Sequence, residues 1–356
     1  MRQVLIYILL KRPFAWAEKD LQSGVPGFGS TWVIGAAALV WLAIQFIRHR
    51  GLVGEAKQTA MYWGGLLLAS VFVLPALGPQ RLPIFGYGMM VLIGFLSGMA
   101  LSKIRARRLG LDPEIINDMS LWLLLTGVAG GRLAYLGQYW RQIYAKCQTI
   151  PDYLLATVNL SEGGLVLIGA LFGGTIGFFL FCGSRKVGPM LLADVIIPGV
   201  FVGVGFGRIG CLFNGCCFGD PCNLPWAIQF PKGSVPWLDL VNRGLLNPAA
   251  PMTMPLHPSQ IYSTIDGFLL ATILWNLFPL RKRDGQLLAI ACMAYACTRF
   301  MLEFLRNDEP GRLGTSLTIS QWYSMGLLII GIGLLAWLFQ EGKPATTRVA
   351  EAANAA

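Results

Sequence analysis

The sequence predicts an all-α fold, a polytopic bundle of transmembrane helices. Three observations predict it. Of 356 residues, 55% are hydrophobic and 13% are charged, whereas a soluble domain usually carries about 25% charged residues. Nine apolar runs are long enough to cross a bilayer, at about 20 residues per crossing. The loops between them alternate in basic character, which is how cytoplasmic loops are marked. The 43 glycines add a fourth sign, since small residues let membrane helices approach closely.

Taken in order, residues 1–25 read as an interfacial lead-in. The stretch 4–10 is apolar but short, and Lys11-Arg12-Pro13 ends it without a small-residue cleavage site. The spanning runs fall near 31–48, 60–79, 85–102, 117–138, 163–183, 189–209, 258–279, 285–305 and 319–339. The tail 341–356 is polar and Ala-rich, so disorder is expected. The expected division is a lead-in with two extra spans at 1–84, a seven-span core at 85–340, and the tail at 341–356.

Arg48, Arg50 and Lys57 follow the first run, and Lys103, Arg105, Arg107 and Arg108 the third. Arg185 and Lys186 follow the fifth, and Arg281, Lys282 and Arg283 the seventh. These loops alternate, so all can be cytoplasmic together, with the N-terminus outside and the C-terminus inside. Lys11, Arg12 and Lys19 oppose that placement. The net charge of +10 resides largely in such loops, so membrane surface rather than nucleic acid is the expected partner. Loops 80–84, 139–162, 210–257 and 306–318 then face outward. The longest, 210–257, is rich in proline with Trp226, Phe230 and Trp237. Strand-like or irregular structure at the membrane surface suits it.

The outward side collects the unusual residues. Stretch 207–219 reads Gly-Arg-Ile-Gly-Cys-Leu-Phe-Asn-Gly-Cys-Cys-Phe-Gly after an uncharged run. Arg208 is a cation at membrane depth, which is costly unless paired or wet and marks a functional candidate. The glycines around it are expected to open the backbone, and a cation beside exposed N–H groups suits an anionic head group. Arg299, Glu303 and Arg306 are spaced i, i+4, i+7 and are expected on one helical face. They form either a self-neutralising ladder or an arginine held to grip phosphate. His257, before Pro258, Ser259 and Gln260, is placed to accept a proton or donate to a head group. Tyr87, Asn214, Asp194 within a span, and Arg132 in Gly130-Gly131-Arg132 complete the candidates. These residues are expected to converge near one interface.

Cys211, Cys216, Cys217 and Cys222 do not match a zinc CxxC pair, so no metal is expected; a disulfide or plain packing stays open. Cys182, Cys292 and Cys297 read as packing residues. No cofactor is expected.

These motifs resemble bacterial prolipoprotein diacylglyceryl transferase over roughly 85–339. The resemblance rests on Gly86-Tyr87-Gly88, Gly131-Arg132, Glu162-Gly163-Gly164 and Gly207-Arg208-Ile209-Gly210. It continues through Asn214-Gly215, Gly219, His257-Pro258-Ser259-Gln260, Arg299-Phe300 with Glu303 and Arg306, and Leu317-Thr318-Ile319-Ser320-Gln321. It implies an inner-membrane enzyme that moves a diacylglyceryl group from phosphatidylglycerol to the lipobox cysteine of a prolipoprotein. A thioether forms and glycerol phosphate leaves. By the same resemblance Arg208 holds the lipid phosphate, and Arg299 stabilises its departure with Glu303 and Arg306 orienting it. Tyr87, Asn214 and Gly219 line the site, and Asp194 supports it. The chain departs from the family at Ile168, where a histidine is common, at Cys211 and Cys216, where Asn and Glu are common, and in its two extra spans. Two other readings are a family member with a different acceptor, and a protein that binds or transports an anionic lipid without chemistry.

Overall fold

In a bilayer every backbone polar group must be satisfied within the protein, and a helix does this segment by segment. The computed structural model describes residues 4–9, 14–15, 18–19, 26–49, 68, 71, 81–145, 149–158, 164–306 and 315–341. Its helices are α1 (Ser30–His49), α2 (Gly86–Arg108), α3 (Glu114–Tyr144), α4 (Ile150–Val158) and α5 (Leu167–Arg185). They continue with α6 (Pro189–Asn214), α7 (Val235–Asn242), α8 (Ser259–Leu277), α9 (Gln286–Glu303) and α10 (Ile319–Glu341). Among the described residues, six (α2, α3, α5, α6, α8 and α10) are long and apolar enough to cross a membrane. The expected run at 285–305 forms α9, which is not among the six; Arg299 and Glu303 sit inside it. The run at 31–48 forms α1. The run at 60–79, apart from Leu68 and Val71, and the tail after Glu341 lie outside the described residues.

Three expectations are corrected. The glycines after 206 do not open the backbone, because α6 continues through Gly207 and Gly210 to Asn214. The break comes at Gly215, whose φ is +77°. Arg306 does not share a helical face with Arg299 and Glu303, because α9 ends at Glu303 and tight turns follow it. Loop 139–162 is partly helical: α3 kinks at Tyr139 and runs on to Tyr144, and α4 follows.

The chain divides into two units, with the division falling inside α2, α6 and α8. One unit comprises Met1–Leu92 and Phe206–Ile261. It holds a four-stranded sheet of β1 (Val4–Leu9), β2 (Glu18–Lys19), β3 (Pro26–Gly29) and β4 (Arg81–Phe85), in the order β2-β3-β1-β4. β1 runs parallel to β3 and antiparallel to β4, with Val4 opposite Phe85 and Leu9 opposite Arg81. The sequence reading took 4–10 and 80–84 for lead-in and loop; the β-branched and aromatic run Val-Leu-Ile-Tyr-Ile-Leu is the strand signal it passed over.

The surface segment after Asn214 has isolated bridges, Pro221 to Leu256, Ile228 to Leu256 and Pro231 to Met252, as the proline content suggests. It also contains α7, which the sequence reading missed. Pro236 stands near the start of that helix, where its absent N–H costs nothing. Phe218, Phe230, Leu240 and Leu256 form a small core beneath it.

The other unit comprises Ile93–Gly205 and Tyr262–Ala356. Lipid tails are as apolar as leucine, so packing and hydrogen bonds rather than escape from water hold such helices together. Leu192, Val195 and Phe201 of α6 pack with Leu270 and Leu274 of α8, Leu287 and Ala291 of α9, and Ile116 and Met119 of α3. Helices α3 and α5 meet through Gly130, Gly169 and Gly173; a Cβ at Gly130 would lie 2.8 Å from Gly173 Cα. Helices α2 and α6 meet likewise, where a Cβ at Gly98 would lie 2.6 Å from the Gly199 carbonyl. Leu121, Leu125, Phe172, Leu180 and Ile329 are exposed, as lipid-facing side chains would be.

Candidate functional site

Tyr87, Arg208, Asn214, Gly219, His257, Ser259 and Gln260 belong to the first unit. Tyr87 stands in the first turn of α2, 47% exposed. Its ring packs on α6 where Gly210 leaves room: a Cβ at Gly210 would lie 3.1 Å from the ring. Arg208 is half-buried on α6, two residues before that contact, and within electrostatic range of Tyr87. Asn214, half-buried, closes α6.

Beyond Asn214 the chain forms a left-handed helix cap. Gly215 N–H donates to Leu212 O at 3.3 Å and Cys216 N–H to Cys211 O at 3.1 Å, the paired bonds that finish a helix at glycine. The next turn is pinned by the residues that open α8. Ser259 Oγ donates to Cys217 O at 2.7 Å, and Gln260 Nε2 donates to Cys216 O at 2.8 Å. Ser259 and Gln260 are 2% and 1% exposed. Gly219 N–H donates to His257 O at 3.1 Å, and His257 N–H to Asp220 O at 2.9 Å. His257 is thus held by its backbone with its ring half-buried. The described cysteines are free thiols.

Arg132, Asp194, Arg299, Glu303 and Arg306 belong to the second unit. Arg299 Nη1 donates to Glu303 Oε2 at 2.5 Å, and Nη2 donates to Ser320 Oγ at 3.0 Å. Glu303 is 2% exposed and accepts from Thr318 Oγ1 at 2.9 Å through its other oxygen. Thr318 and Gln321 cap one another: Thr318 N–H donates to Gln321 Oε1 at 3.0 Å, and Gln321 N–H to Thr318 Oγ1 at 3.3 Å. This reciprocal pair is a capping box that starts α10. The result is a guanidinium clamped in orientation, with its carboxylate partner buried and itself oriented. Arg306 is half-buried beyond the helix, its N–H on Glu303 O. Sequence reasoning gave Thr318 and Ser320 no role of their own, although the Thr-x-x-Gln spacing is the signal for the cap.

Asp194 is fully buried. Oδ2 accepts from Gly285 N–H at 2.8 Å, Oδ1 from Leu288 N–H at 2.9 Å, and Arg281 Nε lies 3.5 Å away. The first N–H groups of a helix lack internal partners and carry partial positive charge, so a carboxylate from another helix satisfies both needs of α9. Arg281 is buried too, stacked on Phe278 at 3.7 Å and paired with Asp284 at 3.3 Å.

Arg132 does the converse at a helix end. It donates to Ala156 O at 2.7 Å and Thr157 O at 2.9 Å, covering carbonyls in the last turn of α4, and to Gly164 O at 3.2 Å beyond that helix. Glu162 and Gly163 lie outside the described residues. Ile168 lines an open groove of about 620 Å³ between α3 and α5, with Gly130, Leu133, Gln138, Phe172 and Ile176.

The sequence profile of the family described as "Prolipoprotein diacylglyceryl transferase" matches residues 74–337. A protein of Clostridium tetani named phosphatidylglycerol--prolipoprotein diacylglyceryl transferase is 32% identical over 251 residues, covering 70% of this chain and 92% of its own. A protein of the same name from Synechococcus elongatus is 32% identical over 284 residues, 77% of this chain and 91% of its own. Another, from Burkholderia thailandensis, is 30% identical over 288 residues, 76% and 95% respectively. The chain is therefore a multi-pass membrane protein that belongs to the prolipoprotein diacylglyceryl transferase family.

Proposed function

We propose that this chain transfers the diacylglyceryl group of phosphatidylglycerol to the lipobox cysteine of a prolipoprotein, the first step of lipoprotein maturation. The observation that supports it most is Arg299, whose guanidinium is fixed by buried Glu303 and by Ser320. A fixed cation suits a charge that grows during reaction, because no reorganisation is needed when it appears.

The chemistry then runs as follows. The acceptor thiol loses its proton, since the thiolate is the nucleophile. Sulfur attacks the glyceryl carbon, an S–C bond forms, and the C–O bond to phosphate breaks. Glycerol phosphate leaves with the bonding pair, and Arg299 stabilises its charge. Arg208 holds the lipid phosphate, with Tyr87, Asn214 and Gly219 beside it. Ile168 cannot take a proton, so that part falls to His257 or Tyr87. Ser259 and Gln260 shape the turn at Cys216 and Cys217. Asp194 supports the site as the cap of the helix bearing Arg299, Glu303 holds Arg299, and Arg306 follows at the helix end. Arg132 serves through the carbonyls it covers.

On this reading the protein lies in the bacterial cytoplasmic membrane with its N-terminus outside and its C-terminus in the cytoplasm. The seven-span core is placed at 85–340, after two extra spans. Ile168 also favours a second reading, a family transferase with another acceptor.

The test uses membranes containing the protein, phosphatidylglycerol and a lipobox peptide, with the thioether product read by mass spectrometry. Wild type should form it, and Arg208→Ala should lose it by about 10²–10³-fold. Full activity in that variant would sink the assignment. Lipid binding without thioether would favour a non-catalytic lipid-binding protein, and product with a cysteine-free acceptor would favour the second reading.

A further inference from the structure

One cluster in the first unit is used by none of these steps. Cys211, Cys216 and Cys217 place their Sγ atoms within 4.8 Å of one another, and all three are half-buried. Their spacing argues against such a meeting. Four residues separate Cys211 from Cys216, and the consecutive side chains of Cys216 and Cys217 would ordinarily diverge.

Three backbone devices overcome this. The cap at Gly215, with φ +77°, folds the chain back so that Cys216 lies over the last turn of α6. Cys217 then adopts φ +58°, a left-handed conformation rare for a residue with a side chain. That turn lets neighbouring thiols face one point. Finally, the carbonyls of Cys216 and Cys217 are held by Gln260 and Ser259 of the next helix, so the turn is anchored rather than loose. A strained residue kept in place by hydrogen bonds from two buried side chains is a local cost that points to use.

The donor set is sulfur only. Soft thiolates select soft cations such as Zn²⁺ and Cu⁺, not the hard cations that prefer oxygen. Bonds of about 2.3 Å to a shared ion would set the sulfurs about 3.8 Å apart, so a modest side-chain closure from 4.8 Å suffices. Compensating charge is at hand. Arg208 stands three residues before Cys211 on α6, hence on the same side of the helix.

We propose that Cys211, Cys216 and Cys217 form a three-thiolate site for one soft d¹⁰ cation, Zn²⁺ or Cu⁺. Three S–H protons pass to solvent, three sulfur–metal bonds form, and no electron is transferred. Two metals share this chemistry, and separate arms of the test distinguish them.

The reduced full-length protein in detergent is incubated under anaerobic conditions with Zn²⁺ or with Cu⁺. Excess is removed and bound metal is counted by mass spectrometry. One equivalent should be retained, and X-ray absorption should show sulfur scatterers at about 2.3 Å. Cys211→Ser, Cys216→Ser and Cys217→Ser should each weaken retention by more than the roughly 10–100-fold typical of losing an outer-shell partner. Cys222→Ser and Cys297→Ser should not. Because a variant can misfold, alkylation of wild type gives a second measure: the metal should protect these three thiols, and a chelator should expose them again. Neither measure depends on diacylglyceryl transfer. No retained equivalent, an equivalent indifferent to all three serines, a shell of oxygen and nitrogen, or a disulfide within the trio under metal-replete conditions would each overturn the proposal.

Discussion

The Asp194 carboxylate accepts the N–H of Leu288 at 2.9 Å and that of Gly285 at 2.8 Å, so one helix caps the start of another. The capped helix carries Arg299 and Glu303 at its far end. A residue near the start of α6 thus fixes the frame in which the Arg299–Glu303 pair is presented.

Removing that carboxylate should be severe. Asp194→Ala strips two N–H groups, one buried and one partly buried, of their acceptor and leaves buried Arg281 with Asp284 as its ion-pair partner. A loss of about 3–5 kcal/mol is expected, the usual cost of breaking a buried pair from one side. Asp194→Asn keeps one acceptor oxygen and should lose less. Thermal unfolding of the purified protein in detergent decides the matter; equal stability of both variants with wild type would refute the capping role.

The clamp on Arg299 by Glu303 and Ser320 gives a test of its proposed role. Arg299→Ala should lower kcat by about 10²–10³-fold, as loss of a single charge-stabilising donor does. Glu303→Gln keeps an acceptor oxygen for only one of Thr318 and the guanidinium, sets an NH2 donor against the other and removes the charge, but it leaves Arg299 in place, so a smaller loss than in Arg299→Ala is expected. Initial rates of thioether formation at saturating lipid give the comparison. An unaltered kcat in Arg299→Ala would remove Arg299 from the mechanism.

The capping box gives a graded test. Thr318→Ala and Gln321→Ala should each cost about 1 kcal/mol of stability. Thr318→Ala should also reduce transfer, because Thr318 donates to Glu303 as well as capping α10. Unfolding and rate measured on the same preparations should therefore diverge between the two variants. Identical activity loss would mean that only helix integrity matters.

Helix contact through glycine makes a positional test. Gly98→Ala would press a methyl to 2.6 Å from the Gly199 carbonyl, where backbone must yield, and a loss of about 1–3 kcal/mol is expected. Gly174→Ala meets nothing within 4 Å and should be neutral or stabilising by up to about 1 kcal/mol. The order of their unfolding midpoints is the readout.

The helical character of the chain is legible because lipid enforces a simple rule: an apolar run of sufficient length becomes a helix. What escapes that rule is local. Strand β1 is a short apolar run, and its partner β4 lies more than seventy residues away, a pairing that no local pattern reveals. Helix α7 hides behind the prolines that seem to forbid it. The candidate residues stand out as charges in apolar context, but their partners do not. Asp194 meets Gly285 and Leu288 about ninety residues on, through backbone groups that carry no sequence signature. Arg306 shows the limit of periodicity, since i+7 spacing has meaning only while the helix continues. Cysteine spacing is silent for a related reason: with Cys217 left-handed, the Sγ atoms of Cys211, Cys216 and Cys217 lie within 4.8 Å of one another, a closeness that the intervals between them do not signal.

The pairing of Val4 with Phe85 bears on how the protein can be shortened. Phe85 directly precedes the turn of α2 that bears Tyr87. A trimmed chain beginning at Arg81 would keep every residue assigned to chemistry yet leave β4 with a raw edge, inviting a neighbouring molecule to supply the missing strand. Truncation chosen by homology alone would thus trade an intramolecular ribbon for aggregation, beside the very tyrosine it meant to preserve.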